Sequence, residues 1–289
     1  MRLPFSRHFS AIAVLATAVA VAACGSTQHH YQEKNMSSNQ KQHAVDLLKS
    51  IETGDPVAVS YINPDKYIQH NLGVADGVAG FKAFLQIAKG NTKVNTVRVF
   101  QDGDMVFTHT DYDFFGPKIG FDIFRFENGK IVEHWNNIQE KAASPNPSGH
   151  TMIDGPTTAV DHAKTQENKE LARRFVEDIL VNGRVDKLAG FYDGDKYIQH
   201  HPLIADGVSG LGTAFQAMAA QGITVKYDRI HKVLGEGNFV LVASEGNFAG
   251  KATAFYDLFR IENGKVAEHW DTVEAIRPQA EWKNSNGKF

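Results

Sequence analysis

Three segments of this chain occur twice, in the same order. DKYIQH stands at Asp65–His70 and again at Asp195–His200, ADGVAG at 75–80 returns as ADGVSG at 205–210, and FDIFRFENGKIVEHWN at 121–136 returns as YDLFRIENGKVAEHWD at 256–271. A period of about 130 residues is far longer than the roughly 20–50 residues of a solenoid repeat. The sequence therefore predicts two tandem copies of one domain, for which 289 residues are sufficient.

Each copy changes along its length from a helical to an extended pattern. An amphipathic helix is indicated in the first copy by the i, i+3, i+4, i+7 stripe of Ala44, Leu47, Leu48 and Ile51. From Thr92 onward apolar and polar residues alternate as they do in strands. The Asn-Gly pair of ENGK, present in both copies, predicts a tight hairpin. We therefore expect an α+β fold in which each copy places N-terminal helices on an antiparallel sheet.

The repeats and the segments between them set the domain boundaries. Residues 144–158 are rich in proline and glycine, which is typical of a linker, and the C-terminal EWKNSNGKF is polar and predicted to be frayed. The predicted organisation is a signal peptide at 1–23, a flexible tether at 24–39, a first domain at 40–143, a linker at 144–160, a second domain at 161–277 and a tail at 278–289.

The N-terminal segment indicates export. Arg2 and Arg7 precede an apolar run at 11–21 that is shorter than the roughly 20 residues of a membrane-spanning helix, the pattern of a secretory signal. The run ends in VAAC, which resembles a bacterial lipobox, so Cys24 is the predicted lipidation site and membrane anchor at the cell envelope. Translation from Met36 would remove this segment and the prediction with it.

The repeated strings resemble those of a known protein family. YIQH, ADG and FRxENGKxxEHW, in this order after helices, resemble the SnoaL-like branch of the NTF2-like superfamily, over about 40–139 and 161–276. The resemblance implies a cone in which helices close over a curved sheet around an apolar pocket, pairing of the two domains through their sheets, and cofactor-free acid/base chemistry on a small hydrophobic substrate. It also implies a catalytic aspartate on the last strand, where this chain has Asp271.

Strand alternation adds candidate residues to this site. Residues two apart share a face of a strand, so His269 accompanies Asp271, and His200 is the nearby second histidine; these three form the predicted catalytic set. The first copy has Asn136 in place of the aspartate, and an amide cannot accept a proton near neutral pH. The predicted substrate-binding residues are Tyr67, His70, His109, Asp111, Asp122, His134, Asn136, Tyr197 and Asp257.

Several of these residues have structural alternatives. His70 and His200 can instead seal the junction between helix and sheet through a hydrogen bond to a backbone carbonyl. Trp135 and Trp270 fit core packing as well as a pocket. The strand aspartates can be pocket acids or can pair with the nearby arginines, Asp122 with Arg125 and Asp257 with Arg260.

The remaining sequence patterns argue against metal, cofactor and nucleic-acid binding. His70, His109 and His134 form no HxH or HExxH motif, so the sequence predicts neither a metal nor another cofactor. A net charge of −3 argues against nucleic acid as a partner. Two functions stay open: a cofactor-independent lyase or isomerase of the aldol or cyclase type, and a non-catalytic binder of a small apolar molecule at the cell envelope.

Overall fold

The computed structural model describes residues 39–88, 90 and 92–289. The predicted signal peptide, nearly all of the tether and the predicted lipidation site at Cys24 lie outside these residues. Within them, no helix combines the length and the apolar character needed to cross a membrane.

The first half of the described chain runs from helices into strands. Its elements are helix α1 at 39–53, α2 at Pro56–Val59, strand β1 at Ile68–Gln69, helix α3 at Gly77–Ala88, and strands β2 at Lys93–Asp102, β3 at Met105–Asp113, β4 at Pro117–Glu127 and β5 at Lys130–Glu140. The predicted apolar stripe of α1 is buried. Asp55 caps α2 by accepting a hydrogen bond from the amide of Val57.

The second half repeats this order with a less regular first helix. A 3₁₀ turn at His162–Lys164 leads into α4 at Thr165–Phe175, which continues as a π-helix at Val176–Val181 and is followed by a 3₁₀ turn at Val185–Gly190. Strand β6 at Ile198–Gln199, helix α5 at Gly207–Ala220, and strands β7 at Val225–Glu236, β8 at Phe239–Phe248, β9 at Lys251–Glu262 and β10 at Lys265–Ala275 complete it; a 3₁₀ turn at Gln279–Glu281 follows.

Each half forms a five-stranded sheet with the same topology. The strand orders are β1-β5-β4-β3-β2 and β6-β10-β9-β8-β7, with the short first strand parallel to the last long one and all other pairs antiparallel. Both predicted Asn-Gly hairpins have positive φ at the two turn residues, as a type I′ turn requires. Bulges interrupt the register in both sheets and increase their twist. The predicted α+β class, helices on an antiparallel sheet in each half, is confirmed.

The two sheets pack against each other through the faces that turn away from the helices. Phe100 stacks on Phe239 at 4.6 Å between ring centroids. The same buried cluster contains Phe107, Phe121, Ile123 and Trp135 of the first half and Leu234, Leu241, Tyr256, Leu258 and Trp270 of the second. Each sheet has a second apolar cluster under its own helices. The sheets are therefore buried on both faces, which removes the exposed apolar face that a single copy would present to water.

The linker and the tail each cross to the other half. Asn146 of the linker donates its amide to the carbonyls of Gln199 and Ile204 in the second half, at 2.6 and 2.9 Å. Asn284 of the tail donates to the carbonyls of Asn71 and Val74 in the first half, at 2.8 and 2.9 Å. The tail, predicted to be frayed, is instead held by side-chain hydrogen bonds. We call residues 146–156 the linker strap and 283–289 the tail strap.

Replacing Asn137 with alanine is expected to lower the free energy of unfolding by about 2 kcal/mol. Asn137 is fully buried between the halves, and its amide donates to the carbonyl of Thr272 at 2.8 Å and to that of Ala254 at 3.2 Å. Its loss leaves these acceptors without that donor in a place water does not reach. Urea denaturation measures the change. Asn95→Ala, at an exposed position of β2, is the control; equal effects of the two variants would contradict the interpretation.

Candidate functional site

The pairing of the first and last strands places the polar side chains of each site. In the first half, β1 lies beside β5 with Gln69 opposite His134, and β4 lies on the other side of β5 with Asp122 opposite Asn136. The second half repeats this with Gln199 opposite His269 and Asp257 opposite Asp271. Because residues two apart share a face, each histidine lies on the same face as the residue at the predicted catalytic position.

In the first half these side chains form a hydrogen-bonded chain. Nδ1 of His134 donates to Oε1 of Gln69 at 2.9 Å, and Nε2 lies 3.0 Å from Oδ1 of Asp122. The hydroxyl of Tyr112 donates to the other oxygen of Asp122 at 2.6 Å. Oε1 of Gln69 also accepts the amide of Asn71, so it acts as the acceptor that fixes the proton on Nδ1. One proton is then shared between Nε2 and Asp122.

The second half has the same hydrogen-bonded chain of side chains, but its tyrosine comes from a different strand. Nδ1 of His269 lies 3.0 Å from Oε1 of Gln199, and Nε2 lies 3.0 Å from Oδ1 of Asp257. The hydroxyl that faces Asp257 comes from Tyr227 on β7, at 3.3 Å from both carboxylate oxygens, whereas Tyr112 lies on β3. Gly246 of β8 is the cross-strand partner of Tyr227. The same hydroxyl is thus supplied from adjacent strands in the two halves.

The cavity beside this chain in the first half is small. It has a volume of about 50 Å³ and is lined mainly by apolar side chains, with a polar edge formed by Tyr67, Gln69, Asn71, Tyr112, Asp122, His134 and Asn136. Drug-sized ligands occupy pockets of roughly 300–1,000 Å³. The described arrangement therefore admits only a few atoms, and a larger molecule would have to displace the helices.

Asp271 is the group that distinguishes the second half. Its side chain is 10% exposed, and Oδ1 has no hydrogen-bond partner among the described residues. Oδ2 lies 3.9 Å from Nε2 of His201, which is beyond hydrogen-bond distance. The cross-strand neighbour of Asp271 is Asp257, so two carboxylates and His269 are grouped together. One carboxylate oxygen of each aspartate and one ring nitrogen of His269 lie within 4.8 Å of one another.

The grouping shifts the pKa values of two of these residues. Burial raises the pKa of Asp257. Burial acts to lower the pKa of His269, but the hydrogen bond to Asp257 and the negative charges of Asp271 and Asp257 outweigh it, so the pKa is raised. Both shifts favour retention of a proton by the His269–Asp257 pair, next to an aspartate that makes no hydrogen bond through Oδ1.

His200 does not join His269 and Asp271. It lies on the opposite face of the sheet, where its ring stacks on Trp270 at 4.5 Å, Nε2 lies 2.8 Å from Glu268, and Nδ1 lies 2.8 Å from the carbonyl of Thr151. The physical reason is strand alternation: Gln199 takes the helix-facing side, so the next residue must face the other way. His200 therefore makes the hydrogen bond to a backbone carbonyl that the sequence left open as its structural alternative.

The first half places His70 in the same way. Its ring stacks on Trp135 at 4.7 Å, Nε2 lies 3.0 Å from Glu133, and Nδ1 lies 3.0 Å from the carbonyl of Gly287 in the tail strap. His70 is therefore not part of the polar edge of the cavity. Trp135 and Trp270 both belong to the cluster between the sheets.

The other predicted binding residues divide between the two faces. Tyr67 and Tyr197 are buried on the helix side, where each hydroxyl accepts from the amide of its glutamine. His109 is buried away from the cavity, stacked on Phe121 and hydrogen-bonded to Arg98. Asp111 pairs with Lys141 at 2.7 Å. Asp122 and Asp257 face histidines rather than the arginines, which bind Glu133 and Glu268.

Three kinds of site residue were not predicted from the sequence. Gln69 and Gln199 were visible inside the repeated hexapeptide, where alternation with His70 and His200 could have assigned them to the cavity. His201 follows a repeated histidine and has no counterpart in the first copy, where Asn71 stands. Tyr112 and Tyr227 carried no common signal, because they occupy different strands.

Comparisons with known proteins support the SnoaL-like resemblance for the second half of the chain. Residues 172–269 match the family model of the SnoaL-like domain. No curated protein matches the chain significantly. Similar solved structures include a putative polyketide cyclase from Bacillus cereus (19% identity, covering 35% of this chain and 74% of that chain, TM-score 0.32), a LEH-like epoxide hydrolase from M. tuberculosis (15%, 36% and 84%, 0.32) and a putative ketosteroid isomerase from Kribbella flavida (16%, 40% and 84%, 0.32).

Proposed function

We propose that the second half performs cofactor-independent acid/base chemistry on a small, largely apolar substrate, with Asp271 as the general base. The observation that carries the proposal is the nearly buried carboxylate whose Oδ1 has no hydrogen-bond partner among the described residues. Such an oxygen is available to accept a proton from a bound molecule. The SnoaL-like match over this half supports the same class of site.

The neighbouring groups have supporting roles in this proposal. The His269–Asp257 pair retains a proton and so limits the repulsion between the two carboxylates. Gln199 fixes the proton on Nδ1 of His269 and thereby keeps Nε2 directed at Asp257. Nε2 of His201 lies 3.9 Å from Oδ2 of Asp271 and could donate to it after a small movement, because Nδ1 of His201 accepts from the amide of Leu203. The reaction type that fits is proton removal next to a carbonyl group, as in a lyase or isomerase of the aldol type.

The first half is proposed to bind a molecule without turning it over. Asn136 replaces the base, and every polar atom of the His134–Asp122 pair already has a hydrogen-bond partner. A site of this kind can hold a polar group in the small cavity through Asn136. If the second half also fails to catalyse a reaction, the whole protein is a binder of a small apolar ligand, which is the alternative function.

Export completes the proposal. The apolar run at 11–21 and the VAAC ending support removal of 1–23 and lipid attachment at Cys24, which would place both sites at the outer side of a membrane. The test is incorporation of a labelled fatty acid in a bacterial host, compared between the full chain and Cys24→Ser. Label in both proteins, or in neither, would refute the anchor without affecting the proposed chemistry.

Catalysis and binding are separated by one experiment. Small apolar carbonyl compounds are screened for binding by thermal shift, and 5-nitrobenzisoxazole, whose ring opens when a base removes one C–H proton, is used as the turnover probe. Turnover by the wild type that Asp271→Asn lacks would support the enzyme. Binding that is equal in the two proteins, without turnover in either, would support the binder and overturn the catalytic proposal.

A further inference from the structure

We propose that His150, Asp154 and His200 bind one divalent transition-metal ion, best fitted by zinc, where the linker strap crosses the second half. The site lies on the face of β10 opposite to Asp271, and it goes beyond the proposed acid/base chemistry. Two imidazoles and one carboxylate are a common zinc ligand set, with water as the fourth ligand. We call these three residues the strap site.

The ligand atoms are already close to the spacing that zinc requires. Nδ1 of His200 lies 2.7 Å from Oδ1 of Asp154, and Nδ1 of His150 lies 3.6 Å from Oδ2. The three residues can each present one ligand atom within 4.8 Å of the others. Ligand atoms at zinc–ligand distances of about 2.1 Å in a tetrahedron are about 3.4 Å apart. Relative shifts of up to about 1.4 Å would bring the three ligand atoms to this spacing.

The strongest support comes from the far nitrogens of the two histidines. Nε2 of His200 lies 2.8 Å from Oε1 of Glu268, and Nε2 of His150 lies 3.1 Å from Oδ2 of Asp206. Histidines that bind metal typically donate the distant N–H to a carboxylate, which orients the ring and leaves the near nitrogen free for the ion. Both histidines of the strap site have such a partner. In addition, Arg260 donates to Glu268 at 2.6 Å and holds it in place.

The backbone around Asp154 is held in place before any ion arrives. Its carbonyl accepts from Nε1 of Trp270 at 2.9 Å and from the guanidinium of Arg98. The side chain of Asp154 is 43% exposed, so an ion and a water ligand can reach the strap site from solvent. In binding, the ion takes the place of the proton on Nδ1 of His200, which now faces Thr151 and Asp154, and that proton is released to water.

The first half provides an internal comparison. His70 has the equivalent partner in Glu133, but the tail strap offers it only the carbonyl of Gly287, and the following residue is Lys288. Lys288 is itself paired with Glu274. The described residues therefore build the strap site in one half only, and the strap site is expected to take one ion per chain. The other group with donor atoms at this spacing, Asp257, His269 and Asp271, lies on the opposite face of the sheet.

Titration with zinc by isothermal calorimetry tests the proposal. The full chain is purified without a histidine tag and stripped with EDTA, in a His29→Ala, His30→Ala background that removes the adjacent histidines of the N-terminal segment. We expect one saturable site. His150→Ala and Asp154→Asn should each weaken binding at least about tenfold, and Asp206→Asn about tenfold through loss of ring orientation. His162→Ala, at an exposed histidine outside the strap site, should leave binding unchanged.

Two further measurements fix the interpretation. Cobalt(II) bound at the strap site should show the intense visible absorption of a tetrahedral ion, and His150→Ala should abolish it. Circular dichroism of the metal-free variants checks that they fold; if His150→Ala does not, the exposed Asp154→Asn decides. No saturable zinc binding, a stoichiometry unaffected by these substitutions, or equal loss in His162→Ala would overturn the proposal.

Discussion

Asp271→Asn is expected to lower kcat/KM for the opening of 5-nitrobenzisoxazole by a factor on the order of 10²–10⁴, the usual contribution of a positioned general base. The substitution preserves the shape of the side chain and removes its ability to accept a proton. It also reproduces the residue that the first half carries at this position, Asn136. The loss should appear in kcat with little change in KM, because an amide fills the same space. The measurement is the initial rate of phenolate formation.

The control for this prediction is Asp228→Asn, which removes a carboxylate from an exposed position of β7 and should leave the rate unchanged. Thermal melting of both variants establishes that they are folded. A rate for Asp271→Asn within a factor of about two of the wild type, in a folded protein, would show that the turnover arises elsewhere. The absence of turnover in the wild type would leave the binding function as the better account.

Arg98→Ala is expected to lower the free energy of unfolding by about 4 kcal/mol. Arg98 is 1% exposed and donates to the carbonyls of Pro156 at 2.8 Å and Ile153 at 3.1 Å, and to that of Asp154. Its guanidinium carbon lies 4.3 Å from the centre of the Trp270 ring, and burial lowers its pKa to about 10. Alanine would leave three linker carbonyls without this charged donor, beside a space that the guanidinium had filled.

The second half, which has the same sheet topology, provides the matched control for Arg98. Lys232 occupies the equivalent position in the second half, opposite Ala243 as Arg98 is opposite His109, and its ammonium lies 4.1 Å from the centre of the Trp135 ring. It makes a cation–π contact without the set of carbonyl hydrogen bonds, so Lys232→Ala should cost only about 1 kcal/mol. Urea denaturation of the two variants gives the comparison. Equal losses would mean that the carbonyl hydrogen bonds do not stabilise the linker strap.

Local patterns were sufficient to predict several parts of the structure. The stripe of α1 is buried, the Asn-Gly turns form the hairpins, and the helices precede the strands in both halves. Strand alternation also placed His269 and Asp271 on one face. These features depend on residues close together in the chain, for which the backbone geometry of a helix or strand fixes the relative directions of the side chains.

The linker and the tail show the opposite case. Their composition is that of flexible segments, yet Asn146 and Asn284 bind the halves that are distant in sequence. The acceptors of these hydrogen bonds are backbone carbonyls, which carry no sequence signal. No local pattern could therefore predict which part of the protein the linker strap or the tail strap binds.

Sequence patterns alone predict that the order of helices and strands repeats in the two halves and which strand residues share a face. Tertiary structure decided which of the two faces meets the helices and which meets the other half, and so directed His200 to the strap site and left Asp271 beside His269. It also decided that Tyr112 and Tyr227 deliver one hydroxyl from different strands. The physical reason is that periodicity fixes relative directions within an element, whereas contacts between elements depend on packing of residues far apart in the chain.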